Sequence, residues 1–161
     1  MTTVEKQIWD KLERFGFDSE GTQLTFSKRL ARENGWNSNY TARVIEEYKK
    51  FIFLLTISKH PLTPSDQVDQ VWHLHLLYTQ SYWEDFCENI IKRKIHHGPT
   101  RGGGAEKTKY TNWYEKTKEL YFDVFNTETP KDIWPSSEIR FTEINFKRVN
   151  LKRNWIIKKP F

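Results

Sequence analysis

Apolar side chains recur at every third or fourth position through most of this chain, and that spacing limits what it can fold into. The longest instance is Tyr40, Val44, Tyr48, Phe51, Ile52 and Leu55. Residues three or four apart share one face of an α-helix, so this run predicts a helix over residues 39–58. Val4, Ile8, Leu12 and Phe15 predict another over 4–15, stopped by Gly16. Leu24, Phe26, Leu30 and Ala31 predict a shorter one over 24–34, closed by Asn34-Gly35. Thr63-Pro64-Ser65-Asp66 reads as a helix start: Thr63 caps, Pro64 suits the first turn, and Asp66 favours the positive end of the dipole. That helix is expected to run to about Tyr78. Helices are also expected over 80–94, burying Trp83, Phe86, Cys87, Ile90 and Ile91, and over 105–126, carrying Tyr110, Trp113, Tyr114, Thr117, Tyr121 and Phe125.

After Pro130 the pattern changes. Ile139, Phe141, Ile144, Phe146, Val149 and Leu151 form short alternating pairs, which predict extended backbone. The expected architecture is all-α: a compact bundle of about five to six helices over residues 1–137. Residues 138–161 then form a basic, extended C-terminal arm, packed on the same domain or projecting from it. A chain of 161 residues is long enough for one domain with a real core, and its 7 Trp, 7 Tyr and 11 Phe bury much area each. The mean hydropathy is −0.80, but the apolar residues are periodic rather than scattered, as in a globular chain.

Charge is uneven. The net charge is +5, yet Lys147, Arg148, Lys152, Arg153, Lys158 and Lys159 all lie in the last fifteen residues, with no acid among them. Without these six, 20 basic residues face 21 acidic ones, so the body is near −1. A basic tail can meet nucleic acid, acidic lipid, a protein partner or its own domain. No nucleic-acid motif accompanies it, which disfavours the first. Cys87 is the single cysteine, so no internal disulfide can form. The N-terminus has no basic region leading into an apolar run, and the longest apolar stretch, Phe51 to Leu55, cannot span a bilayer. These features predict a cytoplasmic protein without a membrane span.

The chemistry concentrates between residues 68 and 97. Val68-Asp69-Gln70-Val71-Trp72-His73-Leu74-His75 holds two of the five histidines, and His96 and His97 follow one predicted helix later. Helix geometry splits the motif. Residues two apart point about 200° away from each other, so His73 and His75 cannot both hold one ion on a regular helix. Asp69 and His73, four apart, share a face. If the helices joined near Tyr78-Thr79 are antiparallel, His96 or His97 returns toward Asp69. Asp69, His73 and His97 are therefore candidate ligands for zinc or ferrous iron, with His75 and His96 as further candidates. The alternative is a metal-free network in which Asp69 accepts a hydrogen bond from His73 and the pair steadies the loop at 96–104. His75 shares a stripe with Val68 and Trp72, where a buried imidazole bonded to a backbone carbonyl is the ordinary outcome. His60 lies in a loop before Pro61 and is read as a bystander.

The pattern Pro64-Ser65-x-x-Val68-Asp69-x-x-Trp72-His73-x-His75, followed by Tyr82, Cys87 and the His97-Gly98-Pro99 loop, resembles the glycine-rich domain-containing protein-like family. The likeness covers about residues 25–135. It implies a helical module with a Trp-His-x-His core and supplies no agreed reaction. The chain departs from the larger members in ending soon after the module, with Gly102 to Gly104 as the only glycine-rich trace.

Two further candidates remain. Cys87 beside a histidine could act as a nucleophile, but Trp83, Ile90 and Ile91 around it favour a buried, inert thiol. Arg101, Gly102 and Gly103 precede a helix start and could cradle an anion. They lack the Gly-x4-Gly-Lys-Ser/Thr pattern and follow no strand, so a connector is the competing reading. Two functions stay open. One is a small divalent-metal protein, with enzyme activity at Asp69, His73 and His97. The other is a protein-interaction module with structural histidines, in which the basic arm contacts a partner.

Overall fold

The computed structural model describes residues 1–98, 102–142, 149–150 and 152–157. Its elements are α1 (Thr3–Arg14), α2 (Phe26–Asn34), α3 (Ser38–Ile57), α4 (Asp66–Leu77), a π-helix (Ser81–Ile91), α5 (Gly104–Phe125) and α6 (Ser137–Thr142). No strand occurs among the described residues, so the fold is all-α, as the periodicity requires. None of these helices is long and apolar enough to cross a membrane.

Helix α3 is the centre. Val44, Tyr48, Phe51, Ile52, Phe53 and Leu54 are fully buried, and Thr41, Ile45, Glu47 and Lys49 nearly so. The sequence predicts one apolar side, but a helix buried most of the way round needs neighbours on every side. Helices α1, α2, α4 and α5 supply them. Side-chain caps set the helix starts. Thr2 and Glu5 form a capping box on α1, and Thr25 and Asn37 cap α2 and α3. Gly35 ends α2 at φ 68°, a left-handed turn that favours glycine.

The start of α4 is two residues later than the sequence reading places it. Ser65, not Thr63, is the cap, its hydroxyl accepting from Val68 N at 3.2 Å. Pro64 would tolerate a cap at Thr63, because a cap residue is extended, but the helix begins only at Asp66. Thr63 is tied to α5 instead: its N–H donates to Thr117 Oγ1 and its carbonyl accepts from the same hydroxyl, both at 3.1 Å.

Residues 81–91 wind as a π-helix, not the expected α-helix. Its hydrogen bonds run i to i+5, so the inward residues repeat every four to five positions. Tyr82, Phe86, Cys87 and Ile91 are buried, while Trp83 and Ile90 are only partly so. The helix closes at Lys92, with φ 61°. Arg93 then donates to the carbonyls of Leu55 and Thr56 at 3.1 and 3.4 Å, satisfying the C-terminal end of α3.

Beyond α5, Ile133 and Trp134 turn back into the core. Trp134 Nε1 donates to Glu47 Oε2 at 2.9 Å, while Lys50 and Tyr121 donate to Oε1 at 2.8 and 3.1 Å. A buried carboxylate thus has three donors, which compensates its loss of water. The arm begins differently from the extended backbone expected there, because residues Ser137–Thr142 form α6. Ile139 is 44% exposed, so the Ile139/Phe141 alternation does not mark one buried strand face. Phe141 packs edge-on against Tyr114 at 5.8 Å and anchors the short helix. Further along, Trp155, Ile156 and Ile157 stand in the open. Lys147, Arg148, Lys158 and Lys159 lie outside the described residues.

Candidate metal centre

Two segments bring the site together. Asp69 sits in the first turns of α4 and His73 one turn further along the same face. His97 arrives from the segment after the π-helix. Its Nε2 stands 2.6 Å from Asp69 Oδ1, and His73 Nε2 stands 3.7 Å from Asp69 Oδ2. Ligand atoms of all three residues lie within 4.8 Å of one another. The rings of His73 and His97 are 4.6 Å apart, and Trp72 meets His97 edge-on at 4.4 Å. Asp69 and His97 are mostly buried, while the His73 side chain is 53% exposed and forms the open side.

His97 is held by a chain of bonds that begins at Trp72. Trp72 Nε1 donates to Tyr82 Oη at 2.9 Å, and that hydroxyl donates to the carbonyl of Ile95 at 2.6 Å. All of these groups are buried, so no water competes for them. The tryptophan of the Trp-His-x-His run thereby fixes the backbone two residues before His97. The resemblance noted above included Tyr82, but its bridging hydroxyl was not foreseen. A tyrosine at the second position of a helix carries no spacing signal for such a role.

His75 is not brought to this site. It is fully buried, its Nδ1 3.0 Å from Tyr48 Oη and its Nε2 3.2 Å from Ser81 Oγ. Phe15, Phe17, Phe26, Tyr82 and Phe86 surround the ring. Burial in this apolar shell lowers its pKa to about 3, so the ring is neutral at ordinary pH. The reading of His75 as core is right in place, but its partners are side-chain hydroxyls rather than a backbone carbonyl. His96 also stands apart from the three-residue group, its ring 5.6 Å from Trp83. Cys87 is 1% exposed, and burial raises its thiol pKa, which leaves it a poor nucleophile. Arg101 lies outside the described residues. Gly102 and Gly103, at φ 76° and 93°, line the cleft in front of the site.

That cleft measures about 960 Å³. Asp69, His73 and His97 form one part of its wall. Trp72, Tyr110, Trp113 and Phe141 supply an aromatic wall, and Thr63 and Arg140 lie beside the start of α4. Glu106 also lines it and pairs with Lys109.

A model of the UCP032817-like family matches residues 22–113, more than half of the 161-residue chain. The chain belongs to that family. The matched span contains Asp69, His73 and His97 together with Trp72 and Tyr82. Among curated proteins, the chain is similar to glycine-rich domain-containing protein 1 of Arabidopsis thaliana, at 24% identity over 110 residues. That alignment covers 65% of this chain and 13% of the relative, so the chain corresponds to a small part of it. The likeness supports the family resemblance carried by the Trp-His-x-His run. No solved structure matches the chain.

Proposed function

We propose that this chain binds one divalent transition metal, zinc or ferrous iron, through Asp69, His73 and His97, and that the metal works on a ligand held in the cleft. The observation that carries this is the convergence of two imidazoles and one carboxylate at the cleft wall. Two histidines and a carboxylate suit both metals and leave coordination positions open for water or a ligand. Ligands at about 2.0–2.1 Å from a tetrahedral ion stand about 3.4 Å apart. The 3.7 Å between His73 and Asp69 is near that spacing. The 2.6 Å contact between His97 Nε2 and Asp69 is a hydrogen bond that would open on loading, leaving the ring proton on Nδ1, and acid competes with the metal for the imidazoles. When bound, the metal supplies a Lewis acid and a water acidified toward neutrality. The tie from Trp72 through Tyr82 to Ile95 holds His97 in reach.

The test is metal content of protein purified without a histidine tag, followed by zinc titration. About one equivalent is expected, with a rise in unfolding stability of about 2.7 kcal/mol when free zinc is a hundredfold above Kd. Asp69→Asn and His97→Ala should abolish both effects. Less than about 0.1 equivalent of any transition metal, with no stability change on adding zinc or iron, excludes the reading.

A second reading, a protein-interaction module, draws on the exposure of Trp155 (98%) and Ile157 (87%) beside the cations Lys152 and Arg153. Deleting residues 147–161 should then leave the unfolding midpoint unchanged. A lowered midpoint makes the arm a strap on the helical core.

A further inference from the structure

The cleft has a second polar station beside the start of α4, and it is incompletely paired. Arg140, on α6, donates from Nε to the carbonyl of Pro64 at 3.3 Å. Its Nη1 stands 3.7 Å from Asp66 Oδ1, too long for a hydrogen bond. A guanidinium offers five N–H donors, so most of this fork has no hydrogen-bond partner among the described residues. Its side chain is only 18% exposed, so water reaches it poorly. One residue before Pro64, the Thr63 hydroxyl is buried and has no hydrogen-bond partner among the described residues. An orphaned polar atom in a cleft wall costs stability unless something else meets it. Both side chains line the same cleft as the three candidate metal ligands.

We infer that the cleft takes an organic carboxylate, with Arg140 and the Thr63 hydroxyl gripping the acid group. The planar guanidinium fork matches the two oxygens of a carboxylate. Asp66 already shares the guanidinium, so a singly charged acid fits better than a doubly charged phosphate. Lys107 on α5 adds to the attraction for an anion. Tyr110 and Trp113, packed edge-to-face at 5.2 Å, with Phe141 beyond them, offer the body of the ligand an apolar wall. A volume of about 960 Å³ is the size of a small-molecule site rather than of an ion site. The inference does not need the metal reading above, because neither Arg140 nor Thr63 is among the candidate ligands.

Benzoate is the probe and benzamide its neutral counterpart, each titrated to about 10 mM against the full chain, with and without zinc, and followed by tryptophan fluorescence. Benzoate should bind at least about tenfold more tightly than benzamide, the size expected for a charge-assisted hydrogen bond. Arg140→Gln should erase that preference, and Thr63→Val should weaken benzoate about threefold without loss of stability. Equal binding of the two probes, no binding of benzoate, or an unchanged preference in Arg140→Gln overturns the inference. Should Arg140→Gln not fold, the benzoate-to-benzamide ratio of the wild type and of Thr63→Val decides. The two readings fail separately. Zinc binding without a benzoate preference sinks the carboxylate site alone. An Arg140-dependent preference in a protein that takes no zinc sinks the metal alone.

Discussion

Acid should unfold this protein in a way that one side chain controls. His75 is buried and held neutral by its apolar shell, its pKa lowered to about 3. In the unfolded chain a histidine titrates near pH 6.5. Between these two values the unfolded state binds a proton that the native state refuses, so stability falls as pH falls. The contribution is intact above about pH 6.5, erodes by about 1.4 kcal/mol per pH unit below it, and stops eroding near pH 3. From pH 7 to pH 4.5 the loss from this one ring is about 2.5 kcal/mol, a large share of a typical domain's stability. Tyr48 and Ser81 bond the ring, and the rest of its ring contacts are phenylalanines and Tyr82, so no acid beside it offsets the cost of charging. The assay is urea unfolding of wild type and His75→Gln at pH 7.0, 6.0, 5.0 and 4.5, followed by tryptophan fluorescence. At pH 7 the variant should be less stable by about 1–3 kcal/mol, through lost packing and disturbed bonds to Tyr48 and Ser81. Its disadvantage should shrink by about 2.5 kcal/mol at pH 4.5, because glutamine has no proton to refuse. Parallel pH profiles, with a difference that changes by less than about 0.5 kcal/mol, would refute the reasoning.

Tyr82→Phe removes the hydroxyl between Trp72 and Ile95 and should destabilise the fold by about 1–3 kcal/mol by urea unfolding. If the metal reading holds, the same variant should weaken zinc binding about 10–100-fold by competition with a chelating dye, since His97 loses its tether. Glu47→Ala leaves Trp134 Nε1 and the Tyr121 hydroxyl without their buried acceptor. It should cost at least about 2 kcal/mol in thermal unfolding, and an unchanged midpoint would deny that network a stabilising role. Cys87 should resist a thiol reagent in the native state and react on adding urea, which a spectrophotometric thiol assay reads directly.

The sequence was most informative where one rule governs one element. The three-to-four spacing gave α1, α2, α3 and α5, and the two-versus-four spacing separated His75 from Asp69 and His73. The return of His97 followed from assuming two adjacent helices antiparallel, and the 2.6 Å contact with Asp69 meets that expectation. Other features depend on contacts distant in sequence. The π-winding satisfies Tyr82, Phe86, Cys87 and Ile91 together against the core, and no local propensity announces it. Helix α6 owes its place to Phe141 on Tyr114 and Arg140 on Pro64, which an alternating apolar pattern cannot distinguish from a strand. The choice between Thr63 and Ser65 as cap also depends on a distant contact, because the Thr63 backbone is bonded to Thr117 on α5 while Ser65 caps α4.

The π-helix has a consequence for how such a site can arise and be lost. A π turn accommodates one residue more than an α turn between the same flanking contacts. The segment Ser81–Ile91 therefore behaves like an α-helix that has absorbed an insertion without displacing its ends. Rewinding it as α, with about one residue fewer per turn, would lengthen its reach per residue and rotate everything that follows, His97 included. The histidine would then leave Asp69 although Asp69, His73 and His97 all remained in the chain. In relatives of this protein, gaps between Tyr82 and Ile91 would part His97 from Asp69 as surely as substitution of either residue. An intact Asp-x-x-Trp-His motif followed by such a gap would mark a protein that kept the fold and gave up the Asp69–His97 contact.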